Sequence, residues 1–481
     1  MNVARRRLVA PSRLLLGLLP LALAACGDDP ILAAEVDELC GQVGPYRLLP
    51  LEPDERLTMS AIRRVDDRYF VTVGREPRLP DGPLGALPRY GDTTTYSVGL
   101  CGEDPRVVAH DLGSAPFPMD RWPGALFGCV HGEERDDLVL VDPSGDQEAT
   151  LVLEDGCTLY RSHVDEGMVR AEAGEATLRL VYHPYLDGDV PGYAAPIELF
   201  AAVTDYTVLG DEVLGVGEDG VLRAVSLVDL STTVEASGVV AFAATADHLL
   251  WKSTGADASI LLRDRQSGTE AVIEHGDISP WGFSLDAEFG RIHRPSTQEG
   301  EVLVDLEGGG LHYFTDNDSP VRELADGRWL VRNGSAGPFR LRDLDTEVEV
   351  ILSEREGFAR TDDDHLDLVE GVQGYLDTRD VGPLWRLGYD GSPEVLRAKR
   401  VTALHVVLDD GRRVTPVDVD DAWLGTLVVV DPATLEEERI DAPVFNYTST
   451  QAAEAALDPQ VIAYQVVDGD RTGLYLLRLA E

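Results

Sequence analysis

Lysine is almost missing from this chain: Lys252 and Lys399 are the only two among 481 residues. Positive charge as a whole is scarce, with 41 Lys and Arg against 86 Asp and Glu and a formal net charge of −45. A surface of that sign repels phosphate backbones and anionic headgroups, which excludes nucleic acid as a partner and favours cationic partners and divalent ions. A long apolar run is also lacking. Leu14 to Ala25 would reach about 18 Å as a helix, short of the roughly 30 Å hydrocarbon core, so a spanning helix is excluded. Without a Cys-x-x-Cys, and without a His pair at helical ligand spacing, the chain has no framework for structural zinc. Ser335 in "NGSAG" has Asn333 two residues before it, so the Gly-x-Ser-x-Gly nucleophile elbow is absent as well. Helical periodicity is confined to one stretch, "STQAAEAAL" at 449–457.

What is present begins at the amino end. Arg5, Arg6, Arg7 and Arg13 precede the short apolar run, which ends in the small residues Ala24 and Ala25 before Cys26. A basic head, an apolar middle and a small-residue end are the three parts of a secretory signal peptide. Leu23-Ala-Ala-Cys26 resembles the lipobox of bacterial lipoproteins. That resemblance implies cleavage before Cys26 and acyl chains on its sulfur, often with a further one on the new amino terminus. One chain holds only marginally, at about 0.8 kcal/mol per buried methylene, whereas two or more make a stable anchor. The expected organisation is a signal peptide at 1–25, a lipidated cysteine and short tether at 26–40, and one folded domain at 41–481. The expected place is the bacterial envelope, at the outer membrane. Removing the four arginines of the leader leaves 37 basic against 86 acidic residues, a formal charge of −49, which keeps a tethered monomer soluble.

Besides Cys26 there are Cys40, Cys101, Cys129 and Cys157, all in the first third of the chain. An even number in an exported protein suggests two disulfides, with three connectivities open. Cys40–Cys101 and Cys129–Cys157 close the shorter loops and are preferred; four free buried thiols are the alternative.

From residue 41 onward the chain is a series of short Val-, Leu-, Tyr- and Thr-rich runs bounded by Gly, Asp and Pro, the signature of strands. One unit recurs, a strand, a tight Asp- or Gly-containing turn and a second strand. It reads "LVLVDPSGDQEATLVL" at 138–153, "SILLRDRQSGTEAVI" at 259–273, "FRLRDLDTEVEVIL" at 339–352 and "TLVVVDPATLEEERI" at 426–440. Further copies stand at 222–236 and 384–396, a weaker one at 96–109, and "GLYLLRLAE" at 473–481 carries only the first strand. Most spacings fall near 35 to 48 residues, the period of a propeller blade. These stretches resemble the TolB-type, WD-repeat-like blades of bacterial β-propellers, a resemblance that covers about half the chain.

A lone four-stranded sheet cannot bury both faces, but a ring of sheets can, and a chain ending on half a unit closes by pairing its last strand with an early one. The 441 residues after Cys40 would supply about ten blades at roughly 42 residues each. The expected fold is all-β, a seven- or eight-bladed β-propeller, with the surplus in long loop insertions at 74–93 and 183–196. The alternative is a β-sandwich followed by a smaller propeller.

Asp187 and Asp189, and again Asp468 and Asp470, sit in copies of Asp-Gly-Asp-x-x-Gly. Paired hard oxygens on a bent backbone suit calcium, but the distal bidentate glutamate of such a loop is missing and a hairpin turn accounts for both. "TDDDHLDLVE" at 361–370 is the densest acidic stretch and reads as a solvated loop. His110, His131, His183 and His312 stand singly and read as surface or packed residues. No catalytic constellation emerges, so the expected function is non-catalytic binding of an envelope protein or polymer. The competing expectation is a calcium-dependent hydrolase or lyase acting on carbohydrate at the channel mouth. A concave pocket there with two or more acids and an Arg or His would favour it.

Overall fold

The computed structural model describes residues 36–37, 42–43 and most of 45–478. Outside the description are 1–35, 38–41, 44, 76–91, 120, 132–135, 158–160, 175–176, 187–190, 256–257, 276–281, 286–288, 294–300, 307–309, 315–317, 335–336, 373–379, 403–404, 409, 446–460 and 479–481. Cys26, Cys40, Asp187, Asp189, the stretch 449–457 and most of the 74–93 insertion therefore lie outside the described residues.

Strands account for nearly all of the regular structure, and one 3-10 turn, Gly469–Arg471, is the only helical element among the described residues. The strands form six four-stranded sheets, two seven-stranded sheets and one two-residue pair, Val36–Asp37 with Gln42–Val43. Each seven-stranded sheet is two blades fused through a shared strand. Ile197–Leu209 pairs through Ile197–Val203 with Leu178–Pro184, and through Val203–Leu209 with Glu212–Gly217. Glu437–Phe445 likewise pairs with Leu424–Val430 along its length and passes Val444 and Phe445 to Val461–Val466. As continuous sheets the ring counts eight; as four-stranded blades it counts ten.

Blades 1 and 2 span residues 55–110 and 117–153, and blades 3 and 4 share the strand at 197–209 within 161–237. Blades 5 to 8 span 239–275, 282–313, 318–353 and 357–401, and blade 9 spans 406–445. Blade 10 joins the end of that strand to Val461–Val466, Gly473–Arg478 and, outermost, the early strand Tyr46–Pro50. The chain thus closes by pairing its last strand with an early one, Tyr46 opposite Leu476 and Pro50 opposite Gly473.

The second strand of a blade is buried on both faces because a neighbouring blade covers each. His248–Ser253 shows four consecutive buried positions and Arg68–Arg75 shows six. Such strands read as continuous apolar runs rather than as alternation. Apolar clusters join successive blades around the ring. Leu250 and Ile260 of blade 5 meet Ile292 and Val302 of blade 6. Leu303 and Phe314 of blade 6 then meet Trp329 and Val331 of blade 7. At the seam, Tyr46, Leu48 and Leu474 pack with Leu57, Tyr69 and Val98 of blade 1. The Gln465 amide, wholly buried, bridges the same seam: it donates to the Glu55 carbonyl at 2.7 Å and accepts from the Leu57 amide at 3.1 Å. A closed ring of this kind overturns the sandwich-plus-propeller alternative.

The repeating sequence unit is the hairpin of third and fourth strands, and its Asp builds the turn. Asp142, Asp264, Asp343 and Asp431 each accept backbone N–H groups two to five residues ahead. These bonds hold the four carboxyls below the usual carboxylate range. Arginine, the dominant cation, spans blade boundaries as a multi-donor fork. Arg265 meets Glu212 at 2.5 Å, Arg291 donates to the Pro320 carbonyl at 2.8 Å and Arg328 to the Tyr389 carbonyl at 2.8 Å.

Candidate functional site

Blade 2 has an inner strand of only two residues, Phe117–Pro118, followed by a loop that turns twice. The Trp122 amide donates to the Met119 carbonyl and the Ala125 amide to the Trp122 carbonyl. The double turn drives the Trp122 indole inward, where it is 3 % exposed. Its ring meets Phe127 at 5.4 Å and Tyr185 edge-on at 4.8 Å, both productive aromatic geometries. Tyr185 belongs to the 183–196 insertion, whose described ends pair as Tyr185 with Tyr193 and with the Leu186 amide on the Gly192 carbonyl. The insertion is therefore ordered at its base, and its tyrosines brace blade 3 on blade 2.

A disulfide between Cys129 and Cys157, 28 residues apart, lies in the same cluster with Trp122, Phe127 and Leu138. Cys101 is disulfide-bonded as well, so the reading as four free thiols does not hold. His183 packs beside Tyr193, 6.3 Å between ring centres, and is 3 % exposed. Burial pushes its pKa down to about 4, so the ring is neutral at pH 7, and neither ring nitrogen has a protein partner.

In front of this aromatic wall, at the inner ends of blades 2 and 3, lies a cleft of about 600 Å³. Phe117, Met119, Val164 and Tyr185 line it, with Arg121 and Asp165 at the mouth. Both charged residues are exposed and make no ion pair among the described residues. Burial pushes the Tyr185 phenol up, with Arg121 pulling the other way, so it remains a hydroxyl donor at neutral pH. A concave apolar wall with few polar groups at its rim is the composition of a recognition site. Across the 119–125 loop a smaller cleft of about 360 Å³ carries Asp66, Asp67, Arg68 and Arg106.

A third cleft, about 670 Å³, lies between blades 7 and 8 and is lined by Glu354, Arg355, Glu356, Glu370 and Glu394. Arg355 occupies its centre. It meets Glu370 at 2.6 Å and Glu394 at 2.9 Å, and lies over the Trp385 ring at 3.8 Å. Bonding to Glu394 raises the arginine further above its already high pKa, while partial burial of Glu394 is outweighed by Ser353 and Arg355, which hold its carboxyl low. These acids surround an arginine in a cleft that runs from the outermost strand of blade 7 to the start of blade 8. Two of them are committed to the cation.

The stretch 361–370 divides in two. Asp362, Asp363 and Asp364 form an exposed turn, as a solvated loop would, while His365–Glu370 is a strand. Asp367 in that strand accepts two 2.8 Å bonds from Arg386 and one of 3.0 Å from Arg413 of blade 9. Burial works against its ionisation, but the arginines win and its pKa falls. Arg413 is 1 % exposed, and burial lowers its pKa. His405 beside it is 1 % exposed, with Nδ1 at 2.9 Å from the Thr402 carbonyl, and burial lowers its pKa to about 4.

Asp468 and Asp470 are exposed in the turn between the last two strands, and Asp468 faces Arg471 at 3.4 Å. They form a hairpin connection. Among the described residues no group of three or more His, Cys, Asp or Glu is placed to hold a metal ion. The only described carboxyl whose pKa burial raises is Asp205, on the strand shared by blades 3 and 4. The aromatic cleft escaped sequence reading because it is assembled from two insertions. "PFPMDRWPGALF" at 116–127 and "HPYLDGDVPGYAAP" at 183–196 share Pro, Gly and aromatic residues, which was the available signal.

No family model and no curated protein matches the sequence. Solved structures similar to it include TolB from Acinetobacter baumannii, 13 % identical, TM-score 0.22, covering 58 % of this chain and 80 % of that one. BamB from Moraxella catarrhalis is 11 % identical, TM-score 0.30, covering 66 % and 95 %. An oligogalacturonate lyase from Vibrio parahaemolyticus is 12 % identical, TM-score 0.28, covering 67 % and 99 %. Likeness at these scores carries no argument about function. The propeller rests on the strand order itself.

Proposed function

We propose that the chain is a non-catalytic β-propeller of the bacterial cell envelope, anchored by acyl chains on Cys26, that recognises a protein or polymer partner. The observation that carries the binding reading is the cleft of blades 2 and 3. It combines Phe117, Met119 and Tyr185 with Arg121 and Asp165, neither of them in an ion pair among the described residues. Aromatic anchors beside an unspent arginine are the usual source of binding energy at protein surfaces. Acid–base catalysis needs paired titrating groups with separated pKa values. Among the described residues the cleft of blades 2 and 3 is lined by a single acid, Asp165, and Glu370 and Glu394 in the cleft of blades 7 and 8 are bound to Arg355. That arrangement favours binding over the calcium-dependent hydrolase or lyase.

The test immobilises the full chain and offers solubilised envelope proteins and purified envelope polysaccharides, alongside an Arg121→Ala/Tyr185→Ala variant of matched Tm. The expected result is a component retained by the wild type and reduced about tenfold or more by the variant, a loss of roughly 1.4 kcal/mol or more. Equal retention by both proteins, or calcium-dependent turnover of a polysaccharide, contradicts the reading. Mass spectrometry of the native amino-terminal peptide tests the anchor: a diacylglyceryl adduct on Cys26 is expected, and an unmodified Cys26 overturns that part.

A further inference from the structure

The outermost strand of a blade has one neighbour and one open edge of N–H and C=O groups, which proteins ordinarily shield. Most such strands here expose one large apolar side chain or none: Val107 in blade 1, Leu151 in blade 2, Val234 in blade 4, Val272 in blade 5 and Val395 in blade 8. Blade 7 departs from that pattern. Its edge strand Glu349–Ser353 exposes two adjacent ones, Val350 at 53 % and Ile351 at 58 %, while the turn before it adds Val348 much as the turn before the blade 4 edge adds Val228 and Leu230. A register shift between Phe339 and Arg340 leaves Leu352 without an opposite partner and bends the strand toward its end. Ile351 and Ser353 then form one wall of the cleft of about 670 Å³.

The charge on that cleft says what approaches it. Glu354, Glu356, Glu370 and Glu394 outnumber the single Arg355. Glu370 and Glu394 are held by Arg355, whereas Glu354 and Glu356 are exposed and in no ion pair among the described residues. The whole molecule adds a formal −45 to the local field, which draws cationic partners and slows anionic ones.

We propose that the open edge of blade 7 receives an extended segment of a partner protein as an added strand, with a Lys or Arg of that segment in the Glu354–Glu356 end of the cleft. Backbone hydrogen bonds along Glu349–Ser353 supply sequence-independent affinity. Val350 and Ile351, adjacent in the strand and so on opposite faces of it, contact two consecutive apolar residues of the guest, one on each face. The two unpaired carboxylates set direction and favour basic termini. This surface is separate from the inner-edge cleft of blades 2 and 3 and stands or falls independently of it.

The probe is a short fluorescent peptide with a central Val-Val pair flanked by Thr and ending in two arginines, with a twin ending in two glutamates. Binding to the full chain is followed by anisotropy, and amide hydrogen exchange is read over residues 349–353. The basic peptide is expected to bind about tenfold or more tightly than its acidic twin, with slowed exchange at 349–353. Val350→Lys and Glu354→Gln/Glu356→Gln are each expected to weaken it, the second also flattening its salt dependence. Arg121→Ala/Tyr185→Ala leaves the affinity unchanged. Absent binding of either peptide, equal binding of both, indifference to the blade 7 variants, or loss in the blade 2–3 variant overturns the proposal.

Discussion

The boundary between blades 2 and 3 and the boundary between blades 8 and 9 solve one packing problem with opposite chemistry. The first stacks Trp122, Phe127, Tyr185 and Tyr193 against a disulfide. The second buries Arg413 against Asp367, with His405 alongside. The aromatic boundary opens into a cleft whose charged residues are unspent, while the charged boundary is filled and its ions face one another. A cluster of perturbed titratable groups is a common marker of function. In this molecule such groups stand at both joints between blades, His405 and Arg413 at the charged one and His183 and Tyr185 at the aromatic one.

Breaking the charged boundary has the largest expected effect. Asp367→Ala strands Arg413 in the interior and should cost about 3–5 kcal/mol in chemical denaturation, with Asp367→Leu/Arg413→Met recovering much of it. The aromatic boundary is expected to yield less. Replacing Cys129 and Cys157 by serine frees a 28-residue separation, at about 3.5 kcal/mol on the loop-entropy scale, and should lower Tm under non-reducing conditions only.

Acid separates the two boundaries from the rest of the ring. His183 and His405 have folded pKa values near 4, below the model-peptide 6.5, so the unfolded chain takes up protons first. Their contribution is complete above pH 6.5 and is lost as pH falls from there toward 4, at about 3 kcal/mol for the fully buried His405. The turn aspartates Asp142, Asp264, Asp343 and Asp431, held low by backbone N–H bonds, begin to lose their contribution as pH falls through the ordinary carboxylate pKa of about 3.9 and lose it fully only below their lowered folded values. Tm measured from pH 7 to 3 should fall in two stages, and His405→Gln should flatten the first.

The smallest effect concerns neither boundary and serves as their control. Leu435 closes the blade 9 hairpin at φ 59°, a left-handed conformation that costs a branched residue roughly 1 kcal/mol. Leu435→Gly should raise stability slightly, by less than about 1 kcal/mol, and leave retention of any partner untouched.

How far the sequence carried can be traced through the hairpins. Eight copies of the third-and-fourth-strand unit were legible, and each falls on such a hairpin in the ring or, for 473–481, on its third strand. Blades 3 and 6 left no copy. In blade 3 the insertion at 185–196 separates the two strands, and in blade 6 the fourth strand is three residues, Leu311–Tyr313. Residue arithmetic reached about ten, and the preference for seven or eight assigned the surplus to loop insertions; the ring has eight continuous sheets, two of them long enough to count as two blades each. Asp367 and Arg413 looked ordinary, since 46 residues separate them and only the packing of blade 8 on blade 9 brings them together. The inner-edge cleft was illegible for the same reason.

The central claim is that recognition resides at the aromatic cleft, and a photo-crosslinker answers it in living cells. Placed at Met119 in the cleft, and separately at the exposed Gln266 turn of blade 5, it reports what touches each surface. A specific adduct from position 119 and none from position 266 is the expected result. Equal adducts from both, or none from 119, would contradict the account.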